Sequence, residues 1–132
     1  MRPAHWPDVS AAARALLIVP PDARPGRARA MLEAAHAAHR AMKRLGRVHP
    51  RLGNGGLMVL ARMAPLPPEP PLSDPEFADC LLRVLQALRD WRADPARRAR
   101  RRGQGQPASQ PTQRAAVGSS ASRFGAISSQ EP

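Results

Sequence analysis

The chain has 132 residues, enough for one domain. Bases outnumber acids 21 to 10, a formal charge of +11 that favours phosphate polyanions or acidic protein surfaces as partners. A single cysteine, Cys80, excludes an intramolecular disulfide and fits a reducing compartment. No stretch approaches the ~20 apolar residues that a membrane span requires, so a cytoplasmic protein without a membrane role is expected.

The charge is unevenly placed. Residues 1–95 hold 14 bases against 9 acids, and residues 96–132 hold 7 against 1, so more than half the excess sits in the last 37 positions. Coding bias competes as an explanation for the body's share, since 20 of the 21 bases are Arg and Ala and Pro are also abundant. It explains the packed cluster after Pro95 less well.

In chain order, the first helix is predicted to begin at Asp8, as its cap, and to present Val9, Ala12, Ala13, Leu16 and Leu17 on one face. Pro20-Pro21 end it, and Asp22 is the expected cap of a longer second helix with Pro25 in its first turn. Met31, Ala35, Ala38, Met42 and Leu45 then recur by fours and threes, a packing seam with small knobs, and Gly46 is placed as the left-handed stop. Arg40, Lys43, Arg44 and Arg47 follow the i, i+3, i+4, i+7 pattern of a single helix face. Cations near a helix C-terminus are favoured by the dipole alone, so this row reads equally well as structure or as a phosphate-binding stripe.

The loop His49 to Gly56 leads into a short apolar helix, Leu57 to Met63, with Asn54 as its expected cap. Its glycines lack the Gly-Lys-Ser/Thr ending of a P-loop, so they are read as conformational hinges. Pro65 to Pro71 is a stiff polyproline connector. Ser73 and Glu76 have capping-box spacing before a last helix whose stripe is Phe77, Leu81, Val84, Leu88 and Trp91. Asp94-Pro95 weakens continuation, although Ala96 to Arg102 have the composition for a further basic turn, and from Gly103 a Gly/Gln/Ser/Pro composition argues for disorder. The expected fold class is therefore all-α: a small bundle of three to four helices over residues 1–94, with a disordered basic tail over 95–132.

No Ser-His-Asp or paired-carboxylate pattern stands out, so catalysis is not expected and no cofactor is implied. The expected role is a non-enzymatic helical adaptor. Arg97, Arg98, Arg100, Arg101 and Arg102, joined by Arg40, Lys43, Arg44 and Arg47, are the candidate contacts to nucleic acid, here DNA bound without sequence preference. The stripe Phe77, Leu81, Val84, Leu88 and Trp91 is the candidate surface for a protein partner or a second copy. Two other readings stay open. One is a protein–protein module whose basic tail only solubilises it. The other is a small helical metal-binding protein using Glu33, His36 and His39, although Glu-x-x-His sites need further ligands from facing helices.

Met1-Arg2-Pro3, the Asp8-Val9-x-Ala-Ala-Ala-Arg-Ala-Leu-Leu run, Gly46-Arg47-x-His49-Pro50, Gly53-Asn54-Gly55-x-Leu57-Met58 and Asp74-Pro75 with Cys80-Leu81 together carry a resemblance. The chain resembles a family of short, largely uncharacterised proteins from Rhodobacter-like alphaproteobacteria, associated with the gene neighbourhood of gene transfer agents. That resemblance implies a DNA-packaging accessory similar to a phage small terminase subunit. It covers roughly residues 1–91, leaves the tail unmatched and carries over no functional residue. Where the family pattern leads one to expect a serine, this chain has Gly56, which removes a helix cap.

Overall fold

The computed structural model describes residues 1–104 and is all-α. Its helices are α1 (Trp6–Leu17), α2 (Arg24–Leu45), α3 (Leu57–Ala61), α4 (Pro75–Ala93) and α5 (Pro95–Gln104), with a 3-10 turn at Pro21–Ala23 before α2. The Gly/Gln/Ser/Pro stretch expected to be disordered lies outside the described residues from 105 onward.

The helix starts depart from the sequence expectation in an instructive way. α1 enters at His5, three residues before Asp8, because Pro7 is tolerated in a first turn. Asp8 sits one turn in, and its Oδ2 accepts from the His5 backbone N–H at 3.0 Å. Its Oδ1 accepts from the Met58 N–H at 2.9 Å, at the start of α3. Asn54 does not cap α3: its Oδ1 accepts from the Gly56 N–H at 2.9 Å and closes a turn ahead of the helix. The cap that Gly56 cannot provide thus comes from Asp8, far away in sequence. Asp22 lies in the 3-10 turn and leaves α2 without a side-chain cap. At α4 the cap is Asp74, whose Oδ1 accepts from the Phe77 N–H at 2.8 Å, so Ser73 is one residue too early.

Asp94 closes α4 and opens α5. Its Oδ1 accepts from the Ala96 N–H at 2.9 Å, while its carbonyl accepts from Arg97 and Arg98 at 3.1 Å each. Pro95 at the first helical position is preorganised for that start. The arginine run, expected to lie in a disordered tail from residue 95, is therefore helical through Gln104.

α1 packs on α4 and α3, and α2 packs across α4. Phe77, Leu16, Leu32, Val84 and Cys80 are its largest fully buried side chains. Each fully buried side chain of the Leu or Phe class contributes about 1.5–3 kcal/mol. Ala12, Ala13, Ala35 and Ala38 are also buried, and their small size lets the helix backbones approach closely. The α2 seam starts as expected with Met31, Ala35 and Ala38 buried, but Leu45 is 60% exposed, so the seam has left the core by its last position. The α4 stripe was expected to receive a partner. Instead Phe77, Leu81 and Val84 are sealed inside this core, and Leu88 and Trp91 pack half-buried against it.

Among the described residues Arg24 is the one buried charged side chain. Its Nε donates to the carbonyls of Leu16 at 3.1 Å and Val19 at 3.0 Å, the free carbonyl end of α1. Its Nη2 pairs with Glu76 and its Nη1 lies 3.8 Å from Asp79, both on α4. One guanidinium thus joins the ends of three helices. The polyproline connector is laid along α1, where the Arg14 Nε donates to the Pro67 carbonyl at 2.7 Å.

Candidate functional site

The two basic rows read separately from the sequence meet at one end of the bundle. Trp91, in the last turn of α4, is the pivot. The Arg97 guanidinium of α5 lies over its ring, 3.2 Å from the centroid, and is held there by the Asp94 carboxylate at 3.3 Å. The ring of His36, on α2, meets Trp91 edge-on at 5.4 Å between centroids and 69° between planes. The Nδ1 of His36 lies 2.6 Å from the Met1 amine. A continuous row therefore runs from the chain's amino group through α2 to α5.

Electrostatics at this row show which cations face it. Burial, reinforced by Arg101, Lys43 and Arg97, lowers the Met1 amine from 8.0 to about 6. Burial, with the amine, Arg97 and Arg40 adding to it, lowers His36 from 6.5 to about 4. His39, one turn further along α2, is lowered by burial and then by the amine, Lys43 and Arg2. Arg2, Arg40 and Lys43 thus act on the same groups of this row as Arg97 and Arg101. Of these, Arg97 alone has an ion pair among the described residues. Such a surface concentrates positive potential.

The remaining candidates fall elsewhere. Arg98 turns back to donate to the Arg92 carbonyl at 3.3 Å. Arg44, Arg100 and Arg102 are exposed on the same two helices. Arg47 follows Gly46, whose φ of 65° ends the helix, so it leaves the register that Arg40, Lys43 and Arg44 keep. Glu33, His36 and His39 do not assemble as metal ligands. Glu33 is exposed and turned toward Arg29 at 3.5 Å, and His36 is committed to the amine and Trp91. Among the described residues no three His, Cys, Asp or Glu side chains come together as a metal centre would require. Cys80 is buried, and burial pushes its thiol up, away from nucleophilic use.

Two features of the site were not read from the sequence, although the glycines of one of them were read as hinges. The amino group carries no letter of its own. The other is the loop Gly53–Gly56, which braces the site: a Cβ on Gly55 would sit 2.5 Å from the His39 Cβ and 2.7 Å from its Cα. The loop backbone therefore rests directly on α2 at His39, one turn before Lys43.

The lowered bases set a pH dependence. In the unfolded chain His36 titrates near 6.5, while in the fold its protonation waits until about 4. Between those values the unfolded state binds more protons, so the stability tied to His36 is full above pH 6.5 and declines as pH falls toward 4. The Met1 amine adds a parallel decline between 8.0 and about 6. Thermal midpoints measured from pH 8 to pH 4 are expected to fall, and His36→Gln is expected to flatten the lower part of that curve.

Among the described residues no helix is long and apolar enough to cross a membrane. Comparison with curated proteins and with solved structures gives no match. A family model does match, across residues 2–88, which span α1 to most of α4 and leave α5 outside. The chain belongs to the family described as a domain of unknown function, DUF7742.

Proposed function

We propose that this protein is a non-enzymatic helical adaptor that holds the phosphate backbone of DNA, without sequence preference, on the face formed by α2, α5 and the amino terminus. The observation that supports the reading is the docking of Arg97 on Trp91, which brings the α5 cations beside Arg40 and Lys43. Arginine forks on a rigid helix suit phosphate oxygens and cost little ordering on binding. Trp91 is occupied by Arg97 and His36, so base stacking on that ring has no part in the reading. The finer role, a DNA-packaging accessory of gene transfer agents akin to a phage small terminase subunit, draws support from the resemblance in the Gly46 to Met58 stretch.

The test is DNA affinity against salt. Each phosphate neutralised contributes about −0.9 to the slope of log affinity against log salt, so four contacts give roughly −4. The pair Lys43→Glu and Arg101→Glu is expected to weaken binding at least about ten-fold and make the slope shallower by roughly 2. Binding that ignores salt, or survives this double reversal unchanged, rejects the proposal.

A further inference from the structure

α4 carries a second row, distinct from the stripe it buries. Ala78, Leu82, Leu85, Arg89 and Arg92 recur by four, three, four and three, the spacing of a helix-pairing seam, about a quarter turn round from Phe77. Leu82 is 64% exposed and Leu85 47%, although this domain is short of apolar residues for its core. Ala78, half-buried beside them, gives room for a close backbone. Arg89 and Arg92 are exposed, and neither has an ion pair among the described residues. The nearby carboxylates are engaged elsewhere: Asp90 accepts from Gln86, and Asp79 pairs with Arg83.

From this row we infer that α4 docks an amphipathic partner helix that sets small or leucine side chains against Ala78, Leu82 and Leu85 and carboxylates against Arg89 and Arg92. The heptad spacing selects a helix as the occupant, and two unanswered guanidinium groups at one end select acidic residues on it. A second copy fits less well. The strip itself bears no acidic residue, and Asp79 beside it is already paired with Arg83 and Arg24, so two strips laid together bring no unengaged carboxylate to the arginines. The inference goes beyond the nucleic-acid reading and stands on different residues. Together they describe an adaptor with a phosphate face and a separate protein face.

The test uses the full chain and two synthetic amphipathic helices that share a leucine seam, one flanked by Glu and the other by Lys. The Glu peptide is expected to bind at least about ten-fold more tightly than the Lys peptide at low salt. Leu82→Glu with Leu85→Glu is expected to lose that binding about ten-fold while leaving duplex DNA affinity within roughly two-fold. Arg89→Glu with Arg92→Glu is expected to reverse the preference toward the Lys peptide. Both leucines are exposed, so these variants keep the fold, and circular dichroism checks that. The inference is overturned if strip variants leave the peptide bound, or if Lys43→Glu with Arg101→Glu releases it instead. It is overturned equally if anionic phosphatidylglycerol vesicles displace the Glu peptide, or if the strip variants abolish a dimer. Loss of DNA binding by the parent chain would sink the nucleic-acid reading and leave this one standing.

Discussion

Arg24→Ala is expected to cost about 3–5 kcal/mol, a large part of the roughly 5–15 kcal/mol that holds a domain of this size together. The variant strips the donor from the buried carbonyls of Leu16 and Val19 and opens a cavity where α1, α2 and α4 meet. An unsatisfied buried acceptor costs about 1–3 kcal/mol; the Val19 carbonyl is left without a partner, while the Leu16 carbonyl keeps only the Val19 N–H at 3.0 Å. Glu76 contributes much less to the loss, because its side chain is 59% exposed and returns to water once unpaired. Glu76→Gln is therefore expected to cost at most about 1 kcal/mol. Urea unfolding of both variants separates the two roles. If the two substitutions cost the same, Arg24 is a surface ion pair with a buried stem and not a tie between helix ends.

The second large effect is expected at Gly55. Its φ of 85° is one that side chains rarely adopt, and a Cβ there meets the α2 backbone at 2.7 Å, where nothing flexible can give way. The conformational part costs about 1–2 kcal/mol and the steric part about 1–3 kcal/mol. Gly55→Ala is thus expected to lose about 2–5 kcal/mol. Gly46 supplies the control: its φ is 65°, but a Cβ there meets nothing within 4 Å, so Gly46→Ala is expected to lose only about 1–2 kcal/mol. Equal losses at the two positions would remove the steric contribution and with it the claim that the loop braces α2. DNA affinity of Gly55→Ala, measured well below its melting point, is expected to fall as well, since the loop rests on α2 one turn before Lys43.

The stripes of α1 and α4 were legible because their periodicity is local and strong, and Gly46 was legible as a stop because only its own backbone matters. The caps were less so. Asp8, Asp22 and Asn54 all have the chemistry of caps, but which amide each one meets depends on where distant helices come to rest. Arg24 was hidden for a different reason. One arginine among 20 has no local mark, and its burial depends on a carboxylate 52 residues away. α5 was misread because Asp94-Pro95 ends one helix and begins the next with the same two residues. The basic rows were each legible, but their convergence rests on a stacked tryptophan that periodicity had assigned to a partner.

Arg24 also bears on the order in which the chain assembles. Its two carbonyl partners lie within eight residues, whereas its carboxylate belongs to a helix late in the chain. The corner between α1 and α2 can therefore close early, as a short-range event. The bundle nevertheless waits on α4, which joins α1 only after the intervening chain, α2 and α3 included, has been drawn in. Refolding is thus limited by that distant encounter, and substitutions on the α1–α4 contact should slow it, while those at the Asp94 junction should chiefly hasten opening.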